Sequence, residues 1–328
     1  MFTRKLGRTE LTVSALCLGG NVFGWTCDEP TSFTVLDAFV AGGGNFIDTA
    51  DVYSAWAPGH HGGESETVLG HWLAARKNRD QVIIATKVGM QLDNDPQQKG
   101  LSRRHITQAV DASLRRLQTD YIDLYQAHAD DEETPLEETL ETFNDLIKQG
   151  KVRYIGASNY TAPRLTEALA VSLQQGFGRY ESLQPNYNLV HREEFEQALD
   201  ALCKEQEIGV INYSSLAAGF LSGKYRKGQQ LPSSKRAQGV QQRYMNDRNF
   251  AILDVVEKVA RAHDVSMTQV ALAWLISSGN VTSPIASATS VEQTQELLAA
   301  TELHLTQDEG EELSRVSDWH SEQTQQAE

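Results

Sequence analysis

Residues 121–159 read YIDLYQAHADDEETPLEETLETFNDLIKQGKVRYIGASN and contain a strand, a helix and a second strand. The apolar, β-prone runs at residues 121–127 and 152–158 predict the two strands. A helix is predicted to begin between them at Thr134-Pro135, where a capping residue precedes a proline. Strands that are joined by a helix lie parallel in one sheet, so this stretch predicts an α/β fold.

The same alternation of strands and helices extends along the rest of the chain. Helices are predicted to begin at capping or first-turn residues, namely Pro30-Thr31, Ser65, Ser102, Thr134-Pro135, Thr161, Arg192, Asp247 and Ser290. Eight strands are predicted, at residues 15–18, 45–48, 82–86, 121–127, 152–158, 182–185, 209–214 and 281–285. Eight such units are the number that closes a β/α barrel.

Two further segments lie outside these eight units. Residues 2–5 and 11–13 flank Gly7-Arg8, a pattern that predicts a hairpin able to plug the barrel floor. Residues 306–317 predict an extra helix after the eighth unit. The predicted fold is therefore α/β: an eight-stranded parallel β/α (TIM) barrel with an N-terminal hairpin plug and a C-terminal extra helix.

The composition favours a single barrel domain over residues 1–328 that stays in the cytoplasm. The chain is 40% hydrophobic and 22% charged, with no linker-like or low-complexity tract to divide it. It has neither a signal-type apolar segment nor a membrane-length one. Three scattered cysteines predict reduced thiols, and the net charge of −15 argues against nucleic-acid or membrane binding. Nothing in the sequence determines the oligomeric state.

The carboxyl ends of the barrel strands are where a β/α barrel carries its chemistry. Asp48, Lys87 and His128 end or follow the second, third and fourth predicted strands, and Tyr53 lies five residues beyond Asp48. Neighbouring strands are about 5 Å apart, so the four side chains are expected to converge. Lys87 would lower the pKa of the Tyr53 phenol, Asp48 would hold Lys87, and His128 would bind a carbonyl. Each residue taken alone is more typical of a helix cap, a rim charge or loop packing, but together at successive strand ends the four favour one shared site.

Seven blocks of sequence, in order and spacing, resemble the aldo-keto reductase family over nearly the whole length. They are LCLGG at residues 16–20, NFIDTADVY at 45–53, IATK at 84–87, YIDLYQAH at 121–128, GKVRYIGASN at 150–159, QPNYN at 184–188 and YSSLAAGFLSGKY at 213–225. The resemblance implies the family's catalytic tetrad, here Asp48, Tyr53, Lys87 and His128. It also implies hydride transfer from a nicotinamide to an aldehyde or ketone carbonyl, with Tyr53 as the general acid.

The resemblance also implies a cofactor site, for NADPH/NADP+ in preference to NADH. Ser158, Asn159 and Gln184 would hold the nicotinamide carboxamide, and Tyr213 would stack on its ring. The loop from Ser214 to Lys224 would surround the pyrophosphate, because its glycines allow close backbone approach. The full set of implied cofactor contacts is Gly20, Asn21, Asp48, Ser158, Asn159, Gln184, Tyr213, Ser214, Leu216, Ala218, Gly219, Lys224, Arg236, Ser287, Thr289, Gln293 and Glu296.

The chain departs from the family pattern where many members bind the 2′-phosphate of NADPH with Arg or Lys. Here residues 287–290 read SATS and offer only hydroxyls and backbone amides at a helix start. Arg236 aligns with a family position that reaches the adenosine end, so it is the predicted phosphate ligand. The polar segment from Leu216 to about Asp247 is interpreted as a lid, with a disordered insertion as the alternative.

The identity of the carbonyl substrate depends on loops, which the family resemblance does not specify. Phe23, Trp25 and Trp56 are candidate walls of the substrate pocket, or else pack their own loops. A third possibility, a metal-dependent barrel hydrolase, rests on His60-His61 beside Glu64, but these residues lie in one glycine-rich loop, and no metal site is predicted. The second function retained is a cofactor-sensing subunit of the potassium-channel β-subunit type.

Overall fold

The computed structural model describes residues 1–92, 98–234 and 236–320. Within these ranges, eight parallel strands follow one another in chain order around a barrel, and helices cover its outside. The barrel strands are β3 (Cys17–Gly19), β4 (Phe46–Asp48), β5 (Ile83–Val88), β6 (Ile122–Ala127), β7 (Val152–Ser158), β8 (Tyr180–Gln184), β9 (Gly209–Val210) and β10 (Ile285–Ala286).

Backbone hydrogen bonds between the last two strand segments close the barrel. The amide of Thr282 donates to the carbonyl of Val210 over 2.8 Å, and the amide of Ile285 donates to the carbonyl of Asn212 over 2.9 Å. On its other side, β10 pairs with β3. The predicted β/α barrel is confirmed, and the carboxyl ends of its strands form one rim.

Three helices begin at the capping side chains that were predicted, whereas the first is capped one turn earlier, by Asp28. The hydroxyls of Ser102, Thr161 and Ser290 each accept a hydrogen bond from the backbone amide three residues later. No described helix meets the length and hydropathy that a membrane crossing requires. The described helices are α1 (Glu29–Ala41), α2 (Glu64–Arg76), α3 (Arg103–Leu117), α4 (Leu136–Lys148), α5 (Ala162–Gln175), α6 (Asp200–Glu205), α7 (Ala237–Tyr244), α8 (Asp247–His263), α9 (Met267–Ser277), α10 (Val291–Ala299) and α11 (Gln307–Val316).

The N-terminal hairpin plugs the barrel, as predicted. Its strands β1 (Thr3–Lys5) and β2 (Thr12–Ser14) are antiparallel. Its residues Leu6, Leu11 and Val13 are buried. They pack against six inward-facing side chains of the barrel, namely Cys17, Phe46, Ala85, Leu124, Ile211 and Ile285. The extra C-terminal helix is α11, which begins with a capping box formed by Thr306 and Glu309.

Strand periodicity places the polar side chains of the site directly above this apolar floor. Side chains alternate along a strand, so a residue two positions beyond a floor residue also points inward. Asp48 follows Phe46, Lys87 follows Ala85, and residue 126 follows Leu124 at this spacing. All three polar side chains are buried within the barrel.

Two helices were not predicted from the sequence. Helix α9 is buried around nearly its whole circumference, so it lacks the polar stripe on which helix prediction depends. Its available signal was a capping box between Ser266 and Gln269. Helix α7 lies within the segment interpreted as a lid. The described part of that segment is folded, because Phe220 packs against Tyr244 of α7 and Phe250 of α8.

Several predicted strands were wrong in their bounds. The seventh was predicted over residues 209–214, but the regular strand ends at Val210. Beyond it, single backbone hydrogen bonds continue, from the amide of Ile211 to the carbonyl of Leu183 and from the amide of Tyr213 to the carbonyl of Pro185. The first and eighth begin later than predicted, at Cys17 and Ile285. Because β9 is short, the rim beside it is formed by a loop and not by a regular strand.

Helix α2 packs against α3 through Gly70, and this contact makes a prediction about stability. A Cβ atom at Gly70 would overlap the carbonyl oxygen of Arg116. Gly70→Ala is expected to lower the free energy of unfolding by about 1–3 kcal/mol, although alanine normally favours a helix. Gly310→Ala in α11 is the control, because nothing lies within 4 Å of its added methyl group. Urea unfolding that showed equal effects for both variants would contradict this packing.

Candidate active site

Three predicted side chains meet at the carboxyl ends of β4 and β5. The ammonium of Lys87 donates to Asp48 Oδ2 at 2.6 Å, to the phenol oxygen of Tyr53 at 2.8 Å and to the carbonyl of Thr49 at 2.9 Å. The Tyr53 hydroxyl lies 3.3 Å from Asp48 Oδ2. The side chains of Lys87 and Asp48 are 0% and 1% exposed. All three N–H groups of the Lys87 ammonium therefore donate hydrogen bonds inside the site, and one of them orients the phenol oxygen.

The other carboxylate oxygen of Asp48, Oδ1, accepts hydrogen bonds from two side-chain amides. Gln184 donates to Asp48 Oδ1 at 2.9 Å and Gln126 donates to the same atom at 3.2 Å. Gln126 was not among the predicted site residues, although its position two residues before His128 places it on the inner face of its strand. Gln184 was expected to bind a carboxamide, and here its amide group is turned into the barrel.

The fourth predicted residue, His128, follows β6 and faces Tyr53, with 6.0 Å between the ring centroids. Burial lowers the pKa of His128 well below its ordinary value, and the ammonium of Lys87 acts in the same direction. Its Nδ1 is buried and has no hydrogen-bond partner in the described part of the chain. A neutral imidazole carries one N–H, which suits it to donate a hydrogen bond to a carbonyl oxygen.

Polar side chains continue along the rim from β7 to the loop after β9. The Ser158 hydroxyl donates to the carbonyl of Gln184, and the Asn159 amide donates to Ser158 Oγ and to the carbonyl of His128. The Tyr213 hydroxyl donates to Asn159 Oδ1 at 2.8 Å. The predicted carboxamide contacts are thus adjacent to the tetrad and linked to one another.

The loop after Tyr213 has an unusual backbone. Ser214, Ala218 and Gly219 have φ values of 57°, 54° and 92°, a left-handed region that costs energy for residues other than glycine. The carbonyl of Leu216 accepts a hydrogen bond from the amide of Gly219 and fixes the turn. Successive turns of this kind point backbone N–H groups into a concavity that suits an anion.

Two cations stand beside this loop. The ammonium nitrogen of Lys224 lies 2.9 Å from the position that a Cβ atom of residue 219 would occupy. Because residue 219 is glycine, the ammonium can approach the loop backbone closely. Partial burial lowers the pKa of Lys224 and of Arg236, and the proximity of Arg236 lowers that of Lys224 further. In the described part of this acidic chain, neither cation has a carboxylate within ion-pair distance. Such a pair favours binding of an anion.

The remaining predicted cofactor residues lie where β3 and β10 meet at the rim. Ser287 donates to Asn21 Oδ1 at 2.6 Å, and a Cβ at Gly19 would lie 2.6 Å from the Ser287 hydroxyl. The amide of Gly20 donates to the carbonyl of Asp48 at 2.7 Å. The others are Thr289, just before α10, and Gln293 and Glu296 on that helix. The amide of Thr289 donates to Gln293 Oε1.

Comparison with known proteins agrees with this geometry. The profile of the aldo/keto reductase family matches residues 15–318. The chain belongs to the aldo/keto reductase family. Among its relatives, the uncharacterized oxidoreductase YrpG of Bacillus subtilis is 36% identical over 92% of this chain and 91% of its own length.

Two other relatives of this aldo/keto reductase carry more specific names. Norsolorinic acid reductase B of Dothistroma septosporum is 32% identical over 95% of this chain and 81% of its own. A probable voltage-gated potassium channel subunit beta of Arabidopsis thaliana is 34% identical over 92% of this chain and 91% of its own. A named reductase and a protein named as a probable channel subunit are thus both similar to this chain.

The electrostatics of the aldo/keto reductase site differ from expectation in one respect. Lys87 was expected to lower the pKa of the Tyr53 phenol. Burial instead raises that pKa well above its ordinary value, and the negative charge of Asp48 acts in the same direction. Without ligands, burial and the Asp48 charge therefore both favour the protonated phenol.

Aromatic rings form a wall beside the tetrad. The Trp25 and Trp56 rings meet edge to face with centroids 5.5 Å apart, and Trp56 lies 5.9 Å from Tyr53. Trp56 is 49% exposed. The guanidinium of Arg236 lies 5.6 Å from the Trp25 ring centroid. Phe23, the third predicted pocket residue, is fully buried in the hydrophobic core.

The histidine-rich loop before α2 has a structural explanation. Both carboxylate oxygens of Glu64 accept backbone amides, from His61 and from Gly62. Glu64 is therefore engaged in shaping the loop. Among the residues that the structure describes, no cluster of three or more His, Cys, Asp or Glu side chains could hold a metal ion.

Proposed function

We propose that this protein is an NADPH-dependent reductase of aldehydes and ketones. The observation that carries the proposal is the contact of Tyr53 with both Lys87 and Asp48 at the base of an aromatic-walled site. A phenol supported by a buried ammonium can give a proton to a carbonyl oxygen and retain the resulting charge beside a cation.

The residues near the rim fit a nicotinamide dinucleotide. The left-handed loop at residues 214–219 and the adjacent cations Lys224 and Arg236 suit the phosphates. Tyr213 offers an aromatic face. Near it, Ser158 offers a hydroxyl group and Asn159 an amide group. Bound reduced nicotinamide would supply the hydride that adds to the carbonyl carbon.

The proposed roles of the side chains follow from their contacts. His128, as a neutral N–H donor, orients the carbonyl oxygen, and Tyr53 gives that oxygen its proton as the carbon accepts the hydride. Lys87 stabilises the phenolate that remains, and Asp48 keeps Lys87 in place. The carbonyl thus becomes an alcohol, and Tyr53 regains its proton from water or, in the reverse reaction, from the alcohol.

Turnover of a panel of aldehydes and ketones with each nicotinamide cofactor tests the proposal. Saturable oxidation of NADPH, followed by loss of absorbance, is the expected result. The similarity to a probable potassium channel subunit beta favours one alternative, a cofactor-sensing regulatory subunit. Tight NADPH binding without turnover of any carbonyl compound would favour that alternative.

Arg236→Ala is expected to weaken NADPH binding by roughly tenfold to a hundredfold while leaving NADH binding almost unchanged. The proposed contact is a charge-assisted one to the 2′-phosphate, which NADH lacks. Fluorescence titration with both cofactors measures the effect. Arg243→Ala is the control, because Arg243 lies on α7 with its guanidinium on the carbonyl of Gly239. Equal losses for both cofactors would show that Arg236 does not recognise this phosphate.

A further inference from the structure

The two carboxylate oxygens of Asp48 have different partners. Oδ2 accepts from Lys87 and Tyr53, which belong to the proposed proton donor. Oδ1 accepts from the amides of Gln126 and Gln184. A carboxylate bonded through one oxygen alone could rotate about its Cβ–Cγ bond. The two amides oppose that rotation without adding charge next to the Asp48–Lys87 ion pair.

Gln126 also fixes the orientation of its neighbour. Gln184 Nε2 donates to Gln126 Oε1 at 3.1 Å as well as to Asp48 Oδ1. Both N–H groups of Gln184 are therefore used inside the barrel. Only Gln184 Oε1 is left to accept a hydrogen bond from a ligand, and the amide of a nicotinamide carboxamide is such a donor.

The barrel makes space for Gln126. In the strand register, Gln126 lies between Lys87 of β5 and Gly156 of β7. A Cβ atom at Gly156 would lie 3.2 Å from Gln126 Cγ and would overlap the hydroxyl of Ser182. The glycine lets the long amide side chain lie across the barrel and reach Asp48, which belongs to a strand two positions away in the sheet.

We propose that Gln126 is a positioning residue of the reaction, which holds Asp48 toward Lys87 and turns the Gln184 carbonyl oxygen toward the nicotinamide. The inference rests on the proposed function. Gln126 touches neither the reacting carbonyl nor Tyr53 and acts through Asp48 and Gln184. A neutral amide is required here because a second carboxylate would compete with Asp48 for Lys87.

Two substitutions separate positioning from simple packing. Gln126→Met keeps the volume but removes both hydrogen bonds, and we expect kcat to fall roughly tenfold to a hundredfold with a smaller change in KM for the carbonyl substrate. Gln126→Glu keeps the shape, but its carboxyl can donate to Asp48 only when it is protonated. Its rate relative to wild type is therefore expected to fall as pH rises.

Several titratable groups surround this position and would share in that pH dependence. Cys17 of β3 is close enough to interact electrostatically with Asp48, Lys87 and Tyr53. Tyr53 also interacts with Asp48 and Tyr213, and His128 interacts with Lys87. Wild type and Gln126→Met contain all of them. A pH effect seen only in Gln126→Glu therefore belongs to the introduced carboxyl.

A second readout needs no turnover. Burial beside Asp48 raises the pKa of the introduced carboxyl in the folded protein above its value of about 4.3 in an unfolded chain. A raised pKa in an acid destabilises the folded state as pH rises. The Tm of ligand-free Gln126→Glu should thus approach that of wild type at acid pH and fall below it progressively toward neutral pH.

Ser182→Ala is the matched control, because it also changes the barrel interior near Gln126. It removes a buried hydroxyl that has no hydrogen-bond partner among the described residues. It should leave kcat and its pH profile unchanged. Wild-type activity together with an unchanged kcat in Gln126→Met would overturn this inference, as would a Tm of Gln126→Glu that followed wild type at every pH. An inactive wild type would instead refute the proposed function.

Discussion

Tyr53→Phe is expected to lose carbonyl reduction by about 10²–10⁴-fold while it still binds NADPH nearly as tightly as wild type. Among the residues that the structure describes, the phenol oxygen forms hydrogen bonds only with Lys87 and Asp48, so its removal takes away the proposed proton and few structural contacts. The magnitude is that of losing a general acid. Steady-state kinetics and fluorescence titration of the cofactor measure the two quantities separately.

Tyr160→Phe provides a matched control for this substitution. Its hydroxyl also forms a buried hydrogen bond, to the hydroxyl of Tyr180 at 3.2 Å, but on the helix side of the barrel wall. It should cost about 1 kcal/mol of stability and leave turnover unchanged. If Tyr53→Phe kept wild-type turnover, another group would have to supply the proton.

Lys87→Met is expected to abolish reduction as completely as Tyr53→Phe. Methionine retains much of the volume of lysine but lacks the ammonium that contacts both Asp48 and Tyr53. Burial and Asp48 already raise the pKa of Tyr53, so loss of the opposing cation raises it further and leaves the phenolate unstabilised. Any residual oxidation of alcohols should therefore require a higher pH than in wild type.

The buried Asp48 carboxylate would lose its counter-ion in this variant, at a cost of about 3–5 kcal/mol of stability. If the variant fails to fold, the double variant Asp48→Asn with Lys87→Met removes both charges and should restore folding without activity. Lys151→Met is the control, since its ion pair with Asp111 is partly exposed and remote from the rim. Retained turnover with an unshifted pH profile in Lys87→Met would mean that something else activates Tyr53.

The positions of the tetrad could be predicted because they depend on local regularities. Asp48 and Lys87 end strands, and a β/α barrel brings strand ends to one rim. The same period of two would have identified Gln126, which faces inward with Lys87 in the strand register. It was not predicted because the family motif marks residues that would touch cofactor or substrate, and Gln126 lies beneath them.

Other properties of the site depend on three-dimensional packing. The direction of the Tyr53 pKa shift is set by burial, which no sequence pattern measures. The contact between Arg236 and Trp25 joins segments more than two hundred residues apart in sequence. Helix α9 escaped prediction for a related reason, because its fully apolar surface follows from its burial on all sides.

The central claim is that this chain transfers a hydride from NADPH to a carbonyl carbon while Tyr53 supplies the proton. The most direct test is incubation with NADPH carrying deuterium at the transferring C4 position, followed by mass spectrometry of the alcohol formed from an aldehyde. One deuterium on the carbinol carbon, formed by wild type and almost absent with Tyr53→Phe, is the predicted result. Alcohol without deuterium, or equal labelling by the Tyr53→Phe variant, would contradict it.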